Sequence, residues 1–184
     1  IEDVMLAASG KFVYVSPKSV KGPAVGWFRK TTLKRAFLPK GSTVTAIFLK
    51  QALRFPGKAA IADQTSGVKT YRDIVVACLS IQKTIEELEA DYIGIMLPAC
   101  VAADIFYLST LFAGKTPVMV NWTGGPRNVV ASLDSIGVKH ILTSKVLVDR
   151  IGLQGFDFSK ISERFVFAET IKAKMSPFTK IKAW

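Results

Sequence analysis

From Tyr92 onward the chain repeats one theme, a short apolar run followed by a helical pattern. "YIGIML" precedes "VAADIFYLSTLFAG", "TPVMVN" precedes "PRNVVASLDSIG", "VKHILTS" precedes "KVLVDRIG", and "RFVFA" (Arg164 to Ala168) closes the series. Runs that are apolar on both faces cannot form the solvent-facing side of an antiparallel sheet; alternating with helices, they need cover above and below. The expected fold is therefore α/β, a three-layer arrangement with a mainly parallel sheet and helices on both faces, joined by right-handed crossovers. The longest apolar region, Tyr92 to Phe112, approaches the length of a membrane span, but Pro98 interrupts it and Asp104 charges it. It reads as a buried strand followed by a buried helix.

Upstream, compact structure is expected to start near Ser42. Ser42 or Thr43 caps a helix carrying "TAIFLKQAL", which Pro56 and Gly57 stop. "AAIAD" (Ala59 to Asp63) reads as a strand, "QTSG" as a turn and "VKTY" as the partner strand. Thr70 and Asp73 have the spacing of a capping box. After them Ile74, Ala77, Cys78, Ile81, Ile85 and Leu88 recur at helical spacing, predicting an amphipathic helix whose far end is crowded by Glu86, Glu87 and Glu89. Those glutamates oppose the helix dipole by a few tenths of a kcal/mol, roughly, so packing must outweigh them.

Residues 1–40 mix breakers with cations and show no sustained periodicity, which reads as a connector or tail over 1–41, followed by the domain proper at 42–184. The alternative is that Phe12 to Val15 form an edge strand of the domain. Trp27 and Phe28 sit among cations, a composition that suits either a membrane interface or docking on the core. Residues 1–40 hold eight Lys/Arg against Glu2 and Asp3, and residues 145–184 hold eight against four acids. The stretch 41–144 holds nine against eight, so the three parts contribute +6, +4 and +1 to a formal charge of +11. Basic ends around a near-neutral middle suit either plain solvation or work near an anionic surface such as a membrane. No DNA-reading motif is present, so no specific nucleic-acid partner is expected. Cys78 and Cys100 lack metal or redox spacing and read as reduced, packed thiols, which points to a cytoplasmic protein. No secretory leader opens the chain, and the start at Ile1 with the stop at "TKIKAW" reads as cuts inside a longer protein.

Chemistry-bearing residues are sparse. In "NWTGGPRN", Asn121, Trp122, Thr123, Gly124 and Gly125 follow an apolar run and precede a helix with Pro126 in its first turn. This is where an α/β sheet places ligands, and the glycines tolerate positive φ. Neither G-x-G-x-x-G after a strand nor G-x-x-x-x-G-K-[ST] occurs, so the turn reads first as tight geometry and only second as an anion site. His140 is alone in a strand and reads as structural, Asp104 as a carboxylate bonded to backbone near its helix start, and Ser144 and Asp149 as lacking a base. No catalytic residue and no metal set is assigned.

Taken in order, the segments resemble the first half of the large domain of the adenylate-forming (AMP-binding) enzymes. The matching pieces are the opening helix, "FPGKAAIAD" for P-x-K-x-A, "KTYRDI" for T-Y-x-x-L and "IGIMLPA" for V-G-I-x-L-P-N. They continue with the helix ending at Ala113 and Gly114, "PVMVNWT" for P-V-x-x-N-x-T, and "HILTS". The resemblance covers about residues 43–145, with Trp122 standing where the family commonly has Pro. It implies that Asn121 to Gly125 form a sheet-edge turn that approaches an acyl pocket or supports the nucleotide subdomain, with a structural Asx turn as the alternative.

Within the family, the pattern through Met175 is most similar to members that activate fatty acids for an acyl carrier protein in support of lysophospholipid acylation. The implied cofactors of the parent are ATP and Mg. The implied partners are the remaining part of the AMP-binding domain, fatty acid, acyl carrier protein and, through the basic ends, an anionic inner-membrane surface. The family's Ser/Thr/Gly-rich loop, its aromatic-Gly-x-Thr-Glu motif, its ribose-binding Asp and its C-terminal Lys have no counterparts in Ile1 to Trp184, so the chain by itself is expected to be inactive. A stand-alone α/β module binding a small molecule or anion at the Asn121 turn is the competing expectation.

Overall fold

The computed structural model describes residues 4–6, 12–14 and 43–174, and the chain divides into two units, Ile1–Leu38 and Pro39–Trp184. In the first unit β1 (Val4–Leu6) and β2 (Phe12–Tyr14) pair antiparallel, Val4 opposite Tyr14 and Leu6 opposite Phe12. The strand read at Phe12 thus has a local partner. Trp27, Phe28 and the rest of the basic segment lie outside the described residues.

The second unit begins with α1 (Val44–Arg54), capped by Thr43, whose hydroxyl accepts from the Ala46 amide at 3.1 Å. Phe48 turns inward, its ring centroid 5.6 Å from that of Tyr71 and 6.4 Å from that of Phe112. β3 (Ala59–Asp63) and β4 (Gly67–Thr70) form an antiparallel hairpin with an irregularity between Ala59 and Ile61. Tyr71, read as the end of the second strand, instead opens α2 (Tyr71–Glu86). The reason is the capping box. Asp73 accepts from the Thr70 amide at 2.8 Å and Thr70 Oγ1 accepts from the Asp73 amide at 3.3 Å, which commits the residue after Thr70 to the helix. Ile74, Ala77, Cys78, Ile81 and Ile85 are its buried face, as the periodicity requires.

A four-stranded parallel sheet of order β6-β5-β7-β8 forms the centre, made of β5 (Tyr92–Met96), β6 (Thr116–Met119), β7 (His140–Thr143) and β8 (Phe165–Phe167). The helices α3 (Val101–Phe112), α4 (Pro126–Ile136) and α5 (Lys145–Gly152) connect them, and α6 (Ala168–Lys174) follows β8. The first crossover runs one way along the sheet and the next two run the other way, so right-handed connections set α3 on one face and α4 and α5 on the opposite face. This is the three-layer α/β fold that the alternating pattern predicts. The core runs through the sheet centre, where Ile93, Ile95, Ile141 and Leu142 are fully buried.

Two positions show why the sheet closes so tightly. A Cβ on Gly94 would stand 3.1 Å from Ile141 Cγ1, 3.2 Å from Val138 Cγ1 and 3.3 Å from Val120 Cγ2, so only glycine lets these side chains meet over β5. Gly137, at φ +81°, ends α4 in the left-handed conformation and sends the chain into β7. At the acidic end of α2 the compensation is specific. Lys115 Nζ donates to Leu88 O at 2.5 Å and Ala90 O at 2.9 Å, putting a cation just past the end of the helix.

Candidate functional site at the carboxyl ends of the strands

The chain direction reverses at β5: the helix leaving β5 goes to one side and the helix leaving β7 to the other. At such a switch point the two following helices diverge and leave a crevice beyond the strand ends. Met96 and Thr143 end the paired strands there, and the buried Thr143 hydroxyl ties them by donating to Met96 O at 2.8 Å. A cavity of about 540 Å³ opens beyond them. Leu97, Pro98, Val101 and Ile105 give it an apolar wall, with the half-buried thiol Cys100 among them. Thr65, Ser66 and Lys69 of the hairpin face it from one side, and Ser144, Glu169 and Lys172 from the other. This size and mixture match small-molecule sites in general.

Both helix starts bordering the crevice are closed by carboxylates from other elements. Asp63 Oδ2 accepts from the Val101 amide at 2.7 Å, while its Oδ1 accepts from the Thr65 amide at 2.8 Å and from the Ser66 amide. The Ser66 amide and then the Val101 amide hold the Asp63 carboxyl below the usual carboxylate range. Glu169 accepts from the Lys145 amide at the head of α5, at 3.1 Å and 3.2 Å, beside Ser144, whose hydroxyl accepts from the Leu147 amide at 3.2 Å. Ser144, which read only as lacking a base, is thus the cap of α5.

Neither carboxylate stood out in the sequence. A signal was present for Asp63: α3 begins after Cys100, which offers no side-chain cap, so its amides need an acceptor from elsewhere. The sequence-level candidate Asp104 does not supply it. It lies exposed in the first turn of α3, beside a depression of about 280 Å³ shared with Phe48 and Tyr107, and takes no hydrogen bond among the described residues. Loss of solvent pushes its carboxyl up.

The Asn121 turn lies elsewhere, at the carboxyl end of the edge strand β6. Asn121 Oδ1 accepts from the Thr123 amide at 3.1 Å and the Thr123 hydroxyl at 2.7 Å, closing an Asx turn. Trp122 packs half-buried against the core, Gly125 takes φ +85°, Pro126 opens α4, and Asn128 donates back to Gly124 O at 2.8 Å. Asn121 and Gly124 border a cavity of about 270 Å³ between β6 and α4, separate in its lining from the crevice at the switch point.

His140 stands half-buried at the start of β7, opposite Ile93, and burial, then Lys115 and Lys139, hold its imidazole below the usual range. Cys78 is fully buried, its thiol 3.7 Å from Ile105 O and pushed up to about 11 by burial.

The arrangement of strands and helices is shared with solved structures. The N-terminal subdomain of Klebsiella oxytoca NpsA, solved in complex with 3-hydroxybenzoyl-AMSN, superposes with a TM-score of 0.59 at 19% identity, covering 77% of this chain and 34% of that one. VinN gives 0.62 at 14% identity over 79% of this chain and 38% of its own. This chain shares its fold with the NpsA N-terminal subdomain and with VinN. A benzoate CoA ligase from Burkholderia xenovorans LB400 shows the same fold at a TM-score of 0.54 and 21% identity, over 72% of this chain and 28% of the ligase. The chain thus spans about a third of the length of the proteins it matches. No protein-family profile matches the sequence.

Among the described residues no three His, Cys, Asp or Glu side chains converge as a metal site. The helix-start amides of Val101 and Lys145, which a phosphate would use, are taken by Asp63 and Glu169. No described helix is long and apolar enough to cross a membrane.

Proposed function

We propose that this chain is the N-terminal part of a fatty-acid-activating ligase. Its whole form joins a fatty acid to ATP as an acyl-adenylate and passes the acyl group to an acyl carrier protein. The finer pattern favours the acyl-acyl-carrier-protein synthetase half of a bifunctional 2-acylglycerophosphoethanolamine acyltransferase, in which the acyl group goes on to a lysophospholipid. One observation carries the reading. The ordered series of segments over about residues 43–145 falls on the same fold as the NpsA N-terminal subdomain, and that subdomain was solved with an AMSN ligand bound.

In this reading the described residues act as a scaffold. The parallel sheet fixes the strand ends, and the Asp63 and Glu169 caps fix the loops that leave them. Charge stabilisation at the reacting phosphate comes from the remaining part of the domain, since the first amides of α3 and α5 are already taken by Asp63 and Glu169. The Asn121 turn serves the same end as a rigid sheet-edge corner, its polar side chains spent on its own backbone and on each other.

The test is ATP–pyrophosphate exchange. Residues 1–184 alone are expected to give no exchange above background, and the whole protein to give exchange that depends on a fatty acid. Robust exchange by residues 1–184 overturns the scaffold reading. Exchange by the whole protein with aryl acids and not with fatty acids overturns the substrate assignment.

A further inference from the structure

The charge of this chain is more one-sided than a basic periphery. Between Asp3 and Asp63 there are eleven lysines and arginines and no acidic residue, whereas from Asp63 onward fourteen cations face twelve acids. The only helix described within the acid-free stretch is α1, and it exposes apolar side chains among its cations.

In α1, successive positions turn by about 100°. Phe48 and Ala52 point into the domain, so the row one step round, Leu49 and Leu53, leaves it. Leu53 is 84% exposed and Leu49 39%. One step further round lie Lys50 and Arg54, a cationic row beside the apolar one. At the helix end Phe55 is 42% exposed, with the Arg54 guanidinium 5.0 Å and the Lys58 ammonium 5.7 Å from its ring centroid.

We propose that this face of α1 is a docking surface for an anionic lipid bilayer. The helix lies in the plane of the interface, with Leu49, Leu53 and Phe55 entering the acyl boundary. Lys50, Arg54 and Lys58 reach the headgroup phosphates, their stems running along the apolar row. A bilayer with negative headgroups satisfies both rows at once, whereas a nucleic acid takes the cations and leaves the leucines against water. At 11 residues α1 is far too short to span, so the contact is peripheral and combines two weak signals, apolar insertion and charge. The surface is independent of the crevice and of any nucleotide chemistry.

The experiment is co-sedimentation of the intact 184-residue chain with vesicles of phosphatidylcholine, with and without phosphatidylglycerol. Binding is expected only with phosphatidylglycerol and is expected to weaken as salt rises. Leu53→Ser should weaken it about tenfold, and Lys50→Gln, Arg54→Gln and Lys58→Gln about fivefold per charge removed. Leu53→Trp, which keeps an interfacial side chain, should bind like the parent, which separates insertion from a folding defect. Leu79→Ser, the loss of an equally simple exposed leucine on α2, should change nothing. Equal binding to pure phosphatidylcholine, equal loss in Leu79→Ser, or no loss in Leu53→Ser overturns the proposal. So does duplex DNA that binds with the same affinity and is indifferent to Leu53→Ser.

Discussion

The Asp63 carboxylate and the Val101 amide meet at 2.7 Å across 38 residues of chain, joining the tip of the β3–β4 hairpin to the first turn of α3. One side chain closes its own turn through Thr65 and Ser66 and caps a helix that has no cap of its own. It thereby fixes one wall of the crevice at the switch point.

Replacing Asp63 should therefore loosen two elements together. Asp63→Ala is expected to lower the melting midpoint more than Asp63→Asn, whose amide oxygen keeps one acceptor, and hydrogen exchange should accelerate in the hairpin and the first turn of α3 alike. The acid limb tests the charge. Because the folded carboxyl titrates below the unfolded one, its contribution is fully present above the unfolded value near 3.8 and is lost as pH falls through the lower folded value. Asp63→Asn should flatten the fall of the melting midpoint below about pH 4. An unchanged acid limb would count against the capping role.

Gly94 is a packing requirement. Gly94→Ala drives a methyl group against Ile141, Val138 and Val120 at 3.1–3.3 Å, so urea unfolding should show a loss of about 1–3 kcal/mol. Gly94→Val should lose more. Gly57, whose Cβ would meet nothing within 4 Å, is the control and should tolerate alanine.

Lys115 links the end of α2 to the single histidine. Lys115→Met removes two bonds to the Leu88 and Ala90 carbonyls and should cost about 1 kcal/mol at this half-buried site. It also removes one of the charges that depress His140. The His140 proton resonance, the only one of its kind in the chain, should titrate at higher pH in the variant. Burial, the larger cause, should still hold it below the usual histidine range.

The two thiols should differ in reactivity. Cys100 is half-buried at the crevice, while Cys78 is fully buried and pushed up to about 11. A disulfide reagent near neutral pH should label one thiol in the folded chain and the second only on unfolding. Labelling of Cys78 at the rate of Cys100 would show that α2 and α3 separate readily.

The sheet was readable because its causes are local. Strands buried on both faces are continuously apolar, as in "YIGIM", and their helices carry their own stops at Gly114 and Gly137. The Asn121 turn was readable for the same reason, since its bonds close within a few residues. At Tyr71 two local causes compete, a strand partner and the capping box of Thr70 and Asp73, and the box prevails.

What the amino-acid sequence determined by itself, then, was the alternation of elements, their periodicity, their caps at Thr43 and Thr70, and the one-sided charge. Tertiary structure alone decided the strand order β6-β5-β7-β8, and with it which strand ends flank a crevice. It also decided that Asp63 and Glu169 hold helix starts far from them in the chain, and that Leu53 rather than Phe48 faces outward. The physical reason is range. Propensity and capping act over a turn or two of backbone, whereas strand order and cross-element carboxylate bonds depend on which surfaces meet once the whole core has closed.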